Sequence, residues 1–100
     1  MIRHLVMFKL QEFNTPEEKM KAVETVRFKL IAMKKKIPVI REFEVGVNFN
    51  QGDAAYDLVI NSTFSSKEDL KIYQVHPAHQ EFILFNKNYS ANKVILDYEY

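Results

Sequence analysis

The chain has 100 residues, room for one hydrophobic core and too little for two. Hydrophobic residues make up 47% and charged residues 27%, which excludes a disordered chain, and fourteen basic against thirteen acidic residues leave a formal charge of +1, with no field to hold nucleic acid or anionic lipid. The absence of cysteine excludes disulfides, thiolate metal sites, iron–sulfur centres and thiol nucleophiles.

The apolar stretch near the N-terminus, Leu5 to Phe8, is broken by Lys9 and is far too short for a signal-peptide core or a membrane span. The expectation is a cytoplasmic, unprocessed protein with neither a membrane nor a nucleic acid as partner. Residues 2–10 read as a strand buried from both sides at its middle. Thr15-Pro16-Glu17-Glu18 then supplies an N-cap hydroxyl, a proline for the first helical position and a glutamate three residues after the cap.

Met20, Val23, Val26, Leu30 and Met33 recur at helical spacing and predict one apolar stripe over about five turns. Ile37-Pro38 closes the helix, and Lys34-Lys35-Lys36 before it reads as cations offsetting the negative helix end. A second strand follows, with Phe43, Val45, Val47 and Phe49 alternating against Glu42, Glu44, Gly46 and Asn48. The turn Asn50-Gln51-Gly52-Asp53 leads to a third strand between Ala55 and Phe64, so that the two form a hairpin.

Ser65 to Asp69 carries a second capping signal and opens a short helix through Leu70 and Tyr73. His76-Pro77 interrupts it and restarts a helical segment with Ala78, Phe82, Phe85 and Tyr89 at helical spacing. Lys93 to Tyr100 alternates as a final strand. The order βαββαβ predicts an α+β, ferredoxin-like single domain over 1–100, with a four-stranded antiparallel sheet and both helical layers on one face.

The other sheet face should then be polar in a monomer, yet Leu5, Met7 and Val59 fall on it. An apolar face of this kind predicts a symmetric homodimer packed through its sheets, with Arg3, Lys9, Asp57, Asp97 and Glu99 rimming or pairing across the interface.

Two segments, Met1 to Leu10 with His4 and Tyr73-Gln74-Val75-His76-Pro77-Ala78-His79-Gln80-Glu81-Phe82, resemble the stress-responsive A/B barrel domain across essentially the whole chain. That resemblance implies a dimeric α/β barrel with a pocket between each sheet and its own helices. Members range from heat-stable plant stress proteins to olivetolic acid cyclase, which performs an aldol closure without a cofactor. By the same resemblance the cyclase's catalytic tyrosine and histidine fall on Tyr73 and His79, and its N-terminal pocket histidine on His4. A further pocket histidine on strand three is replaced by Leu58, which implies a more apolar pocket.

The residue types fit such chemistry. A neutral imidazole at His79 can act as general base, and the Tyr73 phenol can donate to a developing enolate oxygen. The alternative is that both fill the joint between helical segments with their polar tips bonded. His76 and Pro77 read as structural, capping the second helical segment. His76 and His79 have a metal-compatible spacing, but no third ligand lies near them in sequence, so no metal is expected.

Phe8, Phe28, Phe64, Phe82, Phe85 and Tyr89 would supply pocket walls, or equally a core. With two glycines a dinucleotide cradle is excluded, and no cofactor is expected. Three functions remain open: a small-molecule-binding dimer acting on a carbonyl compound through His79, Tyr73, His4, Leu58 and Phe82; a non-catalytic stress or structural dimer; and a cofactor-free monooxygenase on the same scaffold.

Overall fold

A computed structural model describes all residues, 1–100. The elements are β1 (Ile2–Leu10), α1 (Pro16–Lys35), β2 (Glu42–Val47), β3 (Leu58–Phe64), α2 (Lys67–Val75), α3 (Pro77–Asn86) and β4 (Ser90–Glu99). They form the ferredoxin-like fold, with a four-stranded antiparallel sheet of order β2-β3-β1-β4 and three helices.

α1 starts where its caps dictate. The Thr15 hydroxyl accepts from the Glu18 N–H at 3.1 Å, and Pro16 occupies the first turn without wasting a donor. The Glu18 carboxylate reaches one residue further back than a capping box requires, accepting from Asn14 N–H at 3.3 Å. The buried stripe is Ala22, Val23, Val26, Leu30 and Met33. Met20 is 66% exposed, a correction to the sequence expectation: six residues from Val26 it lies about 120° round the helix from the stripe's centre.

β1 places Ile2, His4, Val6, Phe8 and Leu10 in the core, where they meet the α1 stripe with Leu58, Ile60 and Phe64 of β3. Three strand boundaries differ from those predicted by two or more residues. β3 begins at Leu58 rather than Ala55, because Asp57 is taken up elsewhere: its N–H donates to Phe8 O at 2.8 Å and its carboxylate accepts Leu10 N–H at 2.8 Å. Asn48 and Asn50 close the preceding loop by accepting from Asn50 N–H and Gly52 N–H, ending β2 at Val47 and leaving Phe49 96% exposed. β4 begins at Ser90 rather than Lys93, because pairing with β1 recruits Ser90, Ala91 and Asn92, which have little strand preference of their own.

The sheet's other face carries Arg3, Leu5, Met7 and Lys9 of β1, flanked by Val59, Asn61 and Thr63 of β3 and by Val94, Leu96 and Tyr98 of β4. Leu96 is 58% and Met7 44% exposed on it. The charged rim differs from the sequence expectation. Asp97 and Glu99 project to the helix side with their partners His4 and Ile2, and Asp57 bonds within the chain, pairing with Lys19 at 2.8 Å. Arg3 does lie on the open face, donating to Asn61 Oδ1 at 2.8 Å. No helix is long and apolar enough to cross a membrane.

Candidate active site

Between α3, the end of α2 and the helix-facing side of β1 and β4 lies a cavity of about 380 Å³, a size suited to a small organic ligand. Its apolar wall includes Val6, Phe8, Ile60, Phe82, Ile83 and Ile95, and its polar groups include His4, Tyr73 and His79. The fold therefore brings together three side chains from β1, α2 and α3 that are far apart in sequence. The Tyr73 and His79 rings are 4.4 Å apart, and the His4 and Tyr73 rings 5.6 Å apart at near edge-to-face geometry.

His79 sits in the first turns of α3, beyond the break at Pro77. Its Nδ1–H donates to the Gln74 carbonyl at 3.0 Å, an acceptor shared with the Gln80 side-chain amide at 2.8 Å. A carbonyl can only accept, so this bond fixes the proton on Nδ1 and leaves the Nε2 lone pair free. Burial lowers the His79 pKa below the ordinary imidazole value; the Gln74 bond works against this, while His4 and the Lys93 ammonium add to it. A neutral imidazole with an available lone pair is the form a general base needs.

Tyr73 is buried and packs on Phe64 as well as on the two histidines. Burial, and then the nearby Asp97 carboxylate, push its phenol far above the ordinary tyrosine value, so it stays a proton donor at every physiological pH. Its hydroxyl makes no hydrogen bond within the chain, although no sealed polar side-chain atom of the protein lacks a partner. The hydroxyl is therefore open to the cavity that Tyr73 lines.

His4 is 4% exposed, and its Nδ1–H donates to the Asp97 carboxylate directly across the β1–β4 pair. That bond fixes the ring and its tautomer, which holds His4 as a pocket wall with its second nitrogen unbonded within the chain. Asp97 was missed in the sequence because its role depends on the antiparallel register, which sets it opposite His4. Alternation of β4 alone places it with Ile95 and Glu99 and says nothing of its partner.

Other expected residues lie elsewhere. Leu58 is 2% exposed in the core and does not line the cavity. Of the six aromatic residues expected as walls, Phe8 and Phe82 line it. Phe64 lies in the core beneath Tyr73, Phe85 and Tyr89 stack on each other at 4.9 Å, and Phe28 is 73% exposed on the far side of α1. His76 caps α3, its Nδ1 accepting from Ala78 N–H at 3.0 Å, while Pro77 fills the first helical position. His76 and His79 are thus turned to different partners, and no cluster of three or more His, Cys, Asp or Glu side chains able to hold a metal occurs.

Comparison with known proteins places this geometry in a family. An uncharacterized protein of Streptomyces coelicolor is 37% identical over 102 residues, covering all of both chains. The crystal structure of a dimeric ferredoxin-like protein of unknown function from Bacteroides fragilis is 31% identical and superposes with a TM-score of 0.85 over 99% of this chain and 95% of its own. A hydroxynitrile lyase from Passiflora edulis, at 19% identity, has the same fold with a TM-score of 0.79 over 97% of this chain and 90% of its own. The sequence profile of the Stress responsive A/B Barrel Domain matches residues 2–100, and the chain belongs to that family.

Proposed function

We propose that the protein is a homodimer, each copy a single domain, that binds a small apolar or aromatic carbonyl compound and catalyses proton transfer on it without a cofactor, in the manner of a cyclase or isomerase. One observation carries this reading. Within a largely apolar cavity His79 offers a free imidazole lone pair with its ring 4.4 Å from that of Tyr73, whose hydroxyl is a donor with no partner in the chain.

In the reaction so read, His79 Nε2 takes a proton from the carbon next to a carbonyl, and the C–H electron pair passes to the carbonyl oxygen as an enolate. The Tyr73 O–H donates to that oxygen as its charge develops, where an apolar wall strengthens the bond. The enolate carbon then attacks a second carbonyl of the same molecule, whose oxygen takes the proton back from the His79 imidazolium as the first carbonyl re-forms, or a conjugated enolate is reprotonated by the imidazolium at its far carbon instead. His4, held by Asp97, and Phe82 orient the ligand. The same fold carries an enzyme in the hydroxynitrile lyase.

The homodimer reading rests on the exposed Met7, Val94, Leu96 and Tyr98 of the open sheet face and on the dimeric Bacteroides fragilis relative. The test of the site is a thermal-shift screen against phenols, polyketide-like acids and small ketones. A ligand at a hundred times its Kd adds about 2.7 kcal/mol to stability. A compound class that stabilises the parent but not His79→Ala supports the reading. Unchanged melting across the screen would favour a non-catalytic stress or structural dimer, and oxygen uptake with a phenol would redirect it to a monooxygenase.

A further inference from the structure

The cavity has a second polar region, at the junction of α3 and β4. Asn86, Lys87, Ser90, Asn92 and Lys93 line it there. Lys93 stands opposite Phe8 and Asp97 opposite His4, so Lys93 lies four residues, or about 13 Å, along β4 from the strand position that holds His4. Asn86 likewise lies seven residues, or about 10 Å, along α3 from His79, which puts this region toward the far end of the helix from the imidazole, with the Lys93 ammonium still near enough to act on it.

Its charge is one-sided. No carboxylate lines the cavity, and neither Lys87 nor Lys93 takes part in any of the chain's ion pairs. This local excess is not inherited from the composition, which is nearly balanced at fourteen basic to thirteen acidic residues. Lys87 is the C-cap of α3, where a cation also offsets the helix's negative end. Lys93 has no such duty, since it projects from a strand.

Asn86 supplies an independent observation. It is 7% exposed, and the Ser90 hydroxyl donates to its Oδ1 at 2.9 Å, which fixes the amide with its nitrogen on the other side. That nitrogen has no acceptor within the chain, yet no sealed polar side-chain atom lacks a partner, so its N–H donors open to the cavity Asn86 lines. Asn92, by contrast, is exposed and engaged at both ends: one N–H of its amide donates to the Tyr56 hydroxyl at 3.2 Å and its oxygen accepts from Lys93 N–H at 2.9 Å. The region thus presents one buried amide donor and two unpaired ammonium groups, with no acceptor of matching charge.

We infer that the cavity selects ligands bearing an oxyanion group, a carboxylate or a phosphate, held by the Asn86 amide with Lys93 and Lys87 while the carbonyl lies at Tyr73 and His79. The inference rests on the proposed cavity reading and narrows its ligands to keto acids or keto phosphates. The ammonium groups and the amide supply donors that a neutral ester cannot engage as strongly, because hydrogen bonds to a charged acceptor are the stronger kind.

The test measures binding of benzoylpropionate, levulinate and acetylbenzoate, each against its own methyl ester and the matching phosphonate, to the parent, Lys93→Gln and Lys87→Gln. Both substitutions are at exposed positions and leave the core intact. The expected result is that the anionic member of a pair binds at least about fivefold more tightly than the ester, an advantage reduced in Lys93→Gln and by added sodium chloride. A phosphonate preferred over the carboxylate supports the inference and assigns the group to a phosphate. Acids and esters bound equally, or an acid preference untouched by Lys93→Gln, would overturn it while leaving the cavity reading in place. No binding of any member would remove both.

Discussion

Tyr73 combines a packed ring with an unpaired donor in one side chain. Its ring is locked against His4, Phe64 and His79, but its hydroxyl stabilises nothing within the chain. Tyr73→Phe should therefore cost less than about 1 kcal/mol of stability, while any turnover through an oxyanion falls by roughly a hundredfold or more. Circular-dichroism melts set beside rates would show that separation, and a large loss of stability would contradict it. His79 adds a pH signature. Its folded-state pKa is depressed, so the unfolded chain binds the proton more readily; the contribution to stability is full above the ordinary imidazole value near 6.5 and is lost as pH falls through the lower folded value. Activity that uses it as a base should fall over the same lower range, and a rate profile that declines only above neutrality would contradict that role. His4 and Asp97 are coupled differently. Asp97→Leu leaves a buried imidazole N–H without an acceptor and should cost roughly 1–3 kcal/mol, read as a lowered Tm. His4, Tyr73 and His79 were all legible in the sequence through the resemblance of the motifs that hold them. Asp97, Asn86 and Lys93 were not, because their significance comes from strand register and from the turn that joins α3 to β4.

At the scale of elements, helix starts were the most legible features because they depend on neighbouring residues alone. Thr15, Ser66 and His76 each cap a helix by accepting a backbone N–H two or three residues on. Thr15→Ala should cost about 1 kcal/mol, and Leu30→Ala, at a position with no exposure at the α1–sheet contact, roughly 2–5 kcal/mol. Denaturant unfolding would rank the two, and the reverse order would contradict the assigned packing. Strand ends were less legible. Asp57 diverts the chain toward β1 before β3 begins, and Ser90 to Asn92 join β4 only because β1 offers them partners. Both are long-range pairings to which local composition gives no access. The break at His76-Pro77 shapes the candidate site most, since it separates α2 from α3 and lets the Tyr73 and His79 rings pack at a tilt across the joint.

For the whole molecule, the sheet divides two tasks. Its helix side encloses the core and the cavity, and its open side carries Leu5, Met7, Val94, Leu96 and Tyr98, the surface that the proposed dimer buries. This division was legible because alternation in β1 places apolar residues on both faces, although the sequence reading assigned Asp97 and Glu99 to the wrong one. Sedimentation of the parent should give twice the chain mass of 11.8 kDa, and Leu96→Glu should shift it toward the monomer. A parent that sediments as a monomer would contradict the proposed assembly. Because His4, Tyr73, His79 and Asp97 all come from one chain, a monomeric variant that stays folded retains the groups of the proposed site.

Proton movement by His79 and Tyr73 on a bound carbonyl compound, as proposed above, is tested most directly by following deuterium uptake at the carbon next to the carbonyl in D₂O by proton NMR. The ketones and keto acids that stabilise the protein are the substrates to use. Exchange should run faster than the buffer background with the parent and fall toward background in His79→Gln and in Tyr73→Phe. Exchange at the background rate with the parent, or equal rates in all three proteins, would contradict it.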